Sequence, residues 1–174
     1  MIRLRRLFRD RSGAAAIEFG ILAPVAVLLL MGTYELTNAL VAYMKLTAAC
    51  DTVGDLVAQQ SSITTATLND FYTAEQLVMS PLTTNTLGLA IASVTFSSNG
   101  TPSVVWHQEF GGASQMTNLT TSTVGLGNAG DTVIVAQATY TYTSLLKYVL
   151  KTGIPMTERV YTRPRLVTSI AVTG

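Results

Sequence analysis

The sequence predicts an α+β protein: a long N-terminal helix that crosses a membrane and continues outward as a spine, carrying a small head built on an antiparallel sheet. Three observations predict it. Residues 14–34, AAAIEFGILAPVAVLLLMGTY, hold a single charge, Glu18. Residues 35–60 then change from uniformly apolar to periodic at helical spacing. The remainder alternates β-rich runs with connections rich in Gly, Ser, Thr and Asn.

Bulk composition agrees with that layout. Apolar residues make up 48% of the chain and charged residues 12%, with a mean hydropathy of +0.38. An ordinary globular chain is roughly 25% charged, so part of this one belongs in lipid or in a packed assembly. Net charge is only +1, but Arg3, Arg5, Arg6, Arg9 and Arg11 all precede Gly13, opposed there by Asp10 alone. From Ala14 onward six basic residues face nine acidic ones. Basicity is therefore an N-terminal flag, which argues against nucleic acid as a partner, since that needs a basic stripe on the folded domain. Cys50 is the single cysteine, so no internal disulfide forms and the head holds by packing.

The 21 residues from Ala14 to Tyr34, at about 1.5 Å rise each, span roughly the 30 Å of a bilayer core. Arginines lie on the N-terminal side only, which places Met1 in the cytoplasm and the head outside. Three kinds of leader share this outline: a cleaved secretory signal, an uncleaved signal anchor, and a prepilin-type leader cut before the apolar run. Glu18 separates them. A carboxylate at helix depth in lipid costs ~2.5–3.5 kcal/mol on insertion scales and needs a partner. Cleavage after Gly13 makes Glu18 the fifth residue of the mature chain and leaves a positive amine on Ala14, one helical turn away. Pairing within the helix, or between neighbouring copies, then offsets the burial cost. The alternative is a Glu18 at interfacial depth that snorkels to water.

The run Arg11-Ser12-Gly13-Ala14-Ala15-Ala16-Ile17-Glu18-Phe19 resembles the processing site of TadE-like proteins, minor pseudopilins of the Tad (tight adherence) system that builds Flp-type IVb pili. The resemblance covers the anchor and spine, about the first third of the chain. It implies a pilin-like fold and a cut between Gly13 and Ala14 by an inner-membrane prepilin peptidase. It also implies a subunit-register role for Glu18 and Phe19, where major Flp pilins more often carry Tyr in place of Phe. Implied partners are the peptidase, other pilins and pseudopilins, inner-membrane assembly proteins and membrane lipid. The implied function is priming or regulating pilus assembly, and so surface adhesion, from a single pass through the bacterial inner membrane with the head in the periplasm. Arg163-Pro164-Arg165 is a weaker echo of the same family near its C-terminal end, and otherwise a basic turn after the last strand.

Four segments follow: a leader over 1–13, a membrane helix over 14–34, its outward continuation over 35–60 and the head over 61–174. Pro24 interrupts the membrane run and predicts a kink. Beyond it, Leu36, Leu40, Tyr43, Thr47, Cys50, Gly54 and Val57 form one helical stripe predicted to dock on the head, with Glu35, Lys45, Asp51 and Asp55 opposite. In the head, Thr67 and Asp70 predict a cap for a helix over 68–79 that Pro81 stops. Strands are predicted over 87–98, 103–110, 131–143 and 156–163, the first two joined at Asn99-Gly100. Residues 111–130 read as a long exposed loop, and 144–151 as a helical turn.

No enzyme site, metal or cofactor is predicted. Gly125-Leu126-Gly127-Asn128-Ala129-Gly130 matches a dinucleotide fingerprint only by letters, because loop precedes it and a strand follows. His107 is the single histidine and sits in a β-run without companion ligands. The Asn118-Leu119-Thr120 sequon is coincidental in a bacterial chain. Competing readings are a type II secretion pseudopilin, a major pilin, for which the chain is long, and a signal-anchored periplasmic binding protein or enzyme.

Overall fold

The structure, a computed structural model, describes residues 12–144 and 152–173. The elements in order are α1 (Ser12–Ala58), β1 (Ser62–Thr64), α2 (Thr65–Met79), β2 (Gly88–Phe96), β3 (Pro102–Gly111), α3 (Leu119–Ser122), β4 (Thr132–Tyr142), β5 (Ile154–Thr162) and β6 (Ala171–Thr173). The α+β layout of a long helix followed by a four-stranded antiparallel sheet is as expected. The turn expected over 144–151 falls almost wholly outside the described residues.

Helix α1 is continuous over 47 residues with Pro24 inside it, about 70 Å at helical rise. Its polar side chains do not break it, because they bond back to the helix. Thr33 Oγ1 donates to the Leu29 carbonyl at 2.9 Å, Thr37 Oγ1 to Thr33 at 2.8 Å and Asn38 Nδ2 to Tyr34 at 3.0 Å. The chain divides into two compact units, Met1–Ala39 with Ser144–Lys151, and Leu40–Thr143 with Thr152–Gly174. In the first, every described side chain from Gly13 to Leu30 is exposed except the half-buried Ala23, while Glu35 and Ala39 are buried.

The second unit is the head. Its sheet runs β3-β2-β4-β5, antiparallel throughout. Strand β2 is buried along almost its whole length because both faces of the sheet are covered. One face, with Leu89, Ile91, Ile134, Ala136 and Ala138, lies against α1: Cys50 Sγ sits 3.5 Å from the Ala136 carbonyl and 3.7 Å from that of Glu158. Each fully buried Leu or Ile there stabilises the head by roughly 1.5–3 kcal/mol. Gly54 permits the close approach, since a Cβ at this position would lie 2.8 Å from Val160 Cγ1.

The stripe that docks matches the predicted one at Cys50, Gly54 and Val57 and departs from it before them. Ala42, Leu46, Ala49, Cys50, Val53, Gly54 and Val57 are buried, whereas Leu40 and Tyr43 are exposed and Thr47 is half-buried. In the first part of the helix the buried face is thus rotated by about one residue toward small side chains, which let the helix approach the sheet. Glu35 and Lys45 also depart from the expected solvated face. Glu35 is buried, and Lys45 Nζ bonds the carbonyls of Val78 at 3.4 Å and Ser80 at 2.6 Å, a cation at the C-terminal end of α2.

The opposite face of the sheet carries a second core of Ala90, Ala92, Val94, Phe96, Val133 and Val135, closed by Met116 and Leu119. The region read as an exposed loop therefore caps the sheet. Its glycines serve that cap: Gly125 and Gly130 adopt φ of +79° and +83°, and a Cβ on Gly127 would lie 2.5 Å from the Phe96 ring. The β2–β3 turn also differs in detail. Only Gly100 is left-handed, at φ +76°; Gly100 N donates to Ser97 O at 2.8 Å and Ser97 N to Thr101 O at 3.0 Å. Helix α2 begins earlier than expected, capped by Thr64, whose hydroxyl accepts from Thr67 N at 3.1 Å. Parallel pairing of β1 with β6 was not anticipated; Trp106 Nε1 donates to the Ile170 carbonyl at 2.8 Å beside it.

Candidate functional site: the leader junction and its helix

Gly13 and Ala14 lie in the first turn of α1, and both are exposed. Glu18 follows Ala14 by four residues on the same continuous helix, so the two positions share a face one turn apart. Glu18 is exposed, and among the described residues it makes no hydrogen bond or ion pair. Its neighbours are apolar and open: Ile17 is 66% exposed, Phe19 73% and Ile21 69%. A Cβ added at Gly13, Gly20 or Gly32 meets nothing within 4 Å. Glycine inside a helix costs about 1 kcal/mol relative to Ala, and packing among the described residues supplies no reason for any of the three.

The helix is long and apolar enough to cross a membrane, with a mean hydropathy of 2.3 over its best window and none of that window buried. The expected membrane-orienting residues Arg3, Arg5, Arg6, Arg9 and Arg11 lie outside the described residues.

The family model of the TadE-like protein matches residues 13–55. This segment is similar to TadE-like proteins. The match starts at Gly13 and runs through the apolar part of α1 into the part that docks on the sheet, about a quarter of the chain. The matched segment contains Gly13, Ala14, Glu18 and Phe19. No curated protein and no solved structure matches the chain.

Outside this segment, Arg163-Pro164-Arg165 turns out to tie three parts of the head together. Arg163 donates to the Leu126 carbonyl at 2.8 Å and lies 3.4 Å from Asp131, both in the cap. Arg165 N donates to Ala58 O at 2.8 Å, closing the C-terminal end of α1, and its guanidinium meets Asp55 at 2.6 Å. The like-charged Asp51 and Asp55 are exposed as expected, and the partner of Asp55 was not visible in local spacing. A pocket of about 140 Å³ beside Leu126, Val133 and Tyr161 includes Arg163 in its lining. His107 is exposed and joins Glu109 at 2.9 Å and Gln115 at 3.1 Å, a surface polar cluster across β3 and the cap.

Proposed function

We propose that this chain is a minor pseudopilin of a Tad/Flp-type pilus assembly system, held by one pass in the bacterial inner membrane with its head in the periplasm. A prepilin peptidase removes residues 1–13, and the chain then primes or regulates assembly and thereby surface adhesion. Its role is mechanical, with no catalytic step of its own. The observation that carries the reading is Glu18, an exposed carboxylate on an apolar TadE-like helix, one turn beyond the Gly13–Ala14 junction.

The physical logic begins with cost. An isolated carboxylate in hydrocarbon is expensive, and the apolar run supplies no cation after Glu18 before the helix emerges. Cleavage creates one, the amine of Ala14. Within one chain that pair spans a helical turn; between chains it sets the axial register of neighbouring helices, because a one-turn slip leaves both charges unpaired. Phe19 and the neighbouring aliphatic side chains provide the apolar contact that holds the register once the charges meet.

The test is Glu18→Ala in a cell that makes the pilus. The variant is expected in the membrane fraction at the wild-type level, because removing a charge favours insertion, while piliation is lost or strongly reduced. Normal piliation by that variant contradicts the register role. Gly13→Leu tests the preceding step: it is expected to leave residues 1–13 attached.

A further inference from the structure

Helix α2 packs through Leu68, Phe71, Glu75 and Met79. Three of these are apolar, and the fourth is a carboxylic acid in the middle of the contact. Glu75 is fully buried, and among the described residues neither of its oxygens has a hydrogen-bond partner. The groups that face this region are few. From α1 come Lys45, whose ammonium is held at the Val78 and Ser80 carbonyls, and the buried thiol of Cys50. On α2 itself Asp70 is exposed and the Tyr72 hydroxyl donates to the Leu87 carbonyl at 3.1 Å, while on β3, which α2 also contacts, His107 and Glu109 are exposed and joined to each other. On the sheet face that α1 covers, Glu158 accepts from the Tyr43 hydroxyl at 2.8 Å, and Tyr140 is buried. Among the described residues none of these pairs with Glu75.

We infer that Glu75 is a proton-controlled latch: the carboxyl must hold a proton for α2 to stay docked in the head, so acid tightens the docking and loss of the proton loosens it. A neutral acid without a partner is tolerated among apolar side chains, whereas an ionised one there costs far more. Burial pushes the Glu75 carboxyl up to about 8 from an ordinary 4.5, in line with the geometry. The folded value is raised, so the folded head holds one more proton than the unfolded chain between those two values. The stabilising effect is fully present below pH about 4.5, declines by up to about tenfold in the folding equilibrium per pH unit through the window, and is gone above about 8.

The test is urea unfolding of the full chain in detergent, followed by Trp106 fluorescence from pH 5 to pH 9, for wild type and Glu75→Gln. The ratio of folding constants, variant over wild type, is expected to rise at least about a hundredfold from pH 5 to pH 8 and to level off above that. A ratio constant with pH overturns the latch. Glu75→Met repeats the comparison without an amide to satisfy, and the same rise is expected. Failure of both neutral variants to fold at pH 8 also overturns the inference, because both are expected to fold more stably there than wild type.

Discussion

Within one unbroken helix, the stretches before Thr33 and after Leu40 use the same residue types for opposite ends. Gly20 and Gly32 face open space, while a side chain at Gly54 would run into Val160. Leu28, Leu29 and Leu30 are each more than 60% exposed, while Leu46 is fully buried. The later stretch is explained by the head it packs against. The earlier one has no such explanation among the described residues, and it is long and apolar enough to cross a membrane. Helical propensity builds α1 as one element, and surroundings divide its work.

That contrast can be broken by paired substitutions. The largest expected effect comes from Leu46→Ala, which should destabilise the head by about 2–5 kcal/mol through lost burial and a cavity. Leu29→Ala should leave head unfolding unchanged, as read by Trp106 fluorescence in urea. Next is Gly54→Val, expected to cost about 1–3 kcal/mol because α1 must move away from β5. Gly20→Val should have no effect on the same readout, and equal losses from the two would erase the distinction. The smallest is Arg165→Ala. The Asp55 pair is more than half exposed on both sides, so its loss should cost less than about 1 kcal/mol and shrink further in high salt. The Arg165 main-chain bond to Ala58 survives that substitution.

Much of this was legible in the sequence. The apolar run and the β-rich segments specify the long helix and the sheet, because each depends on local pattern. What was not legible depends on which surface meets which. Leu36, Leu40 and Tyr43 looked like the docking stripe because large apolar residues usually fill cores. Instead Ala42, Leu46 and Ala49 are buried, and Leu36, Leu40 and Tyr43 stay exposed. Met116 and Leu119 were lost in a polar stretch, yet these two side chains close the second face of the sheet over β2 and β4. Glu75 was hidden for the opposite reason: nothing local distinguishes a buried acid from a solvated one on a helix. Arg165 meets Asp55 across 110 positions of sequence, a distance no spacing rule covers.

The central claim is that Glu18 is tolerated in an apolar helix because proteolysis supplies it with a cation. Intact-mass and N-terminal sequence analysis of the protein extracted from its native membrane tests this most directly. The account predicts a chain that begins at Ala14 and lacks the arginine-rich leader. A chain that still begins at Met1 in essentially every copy, or one that begins well beyond Tyr34, contradicts it.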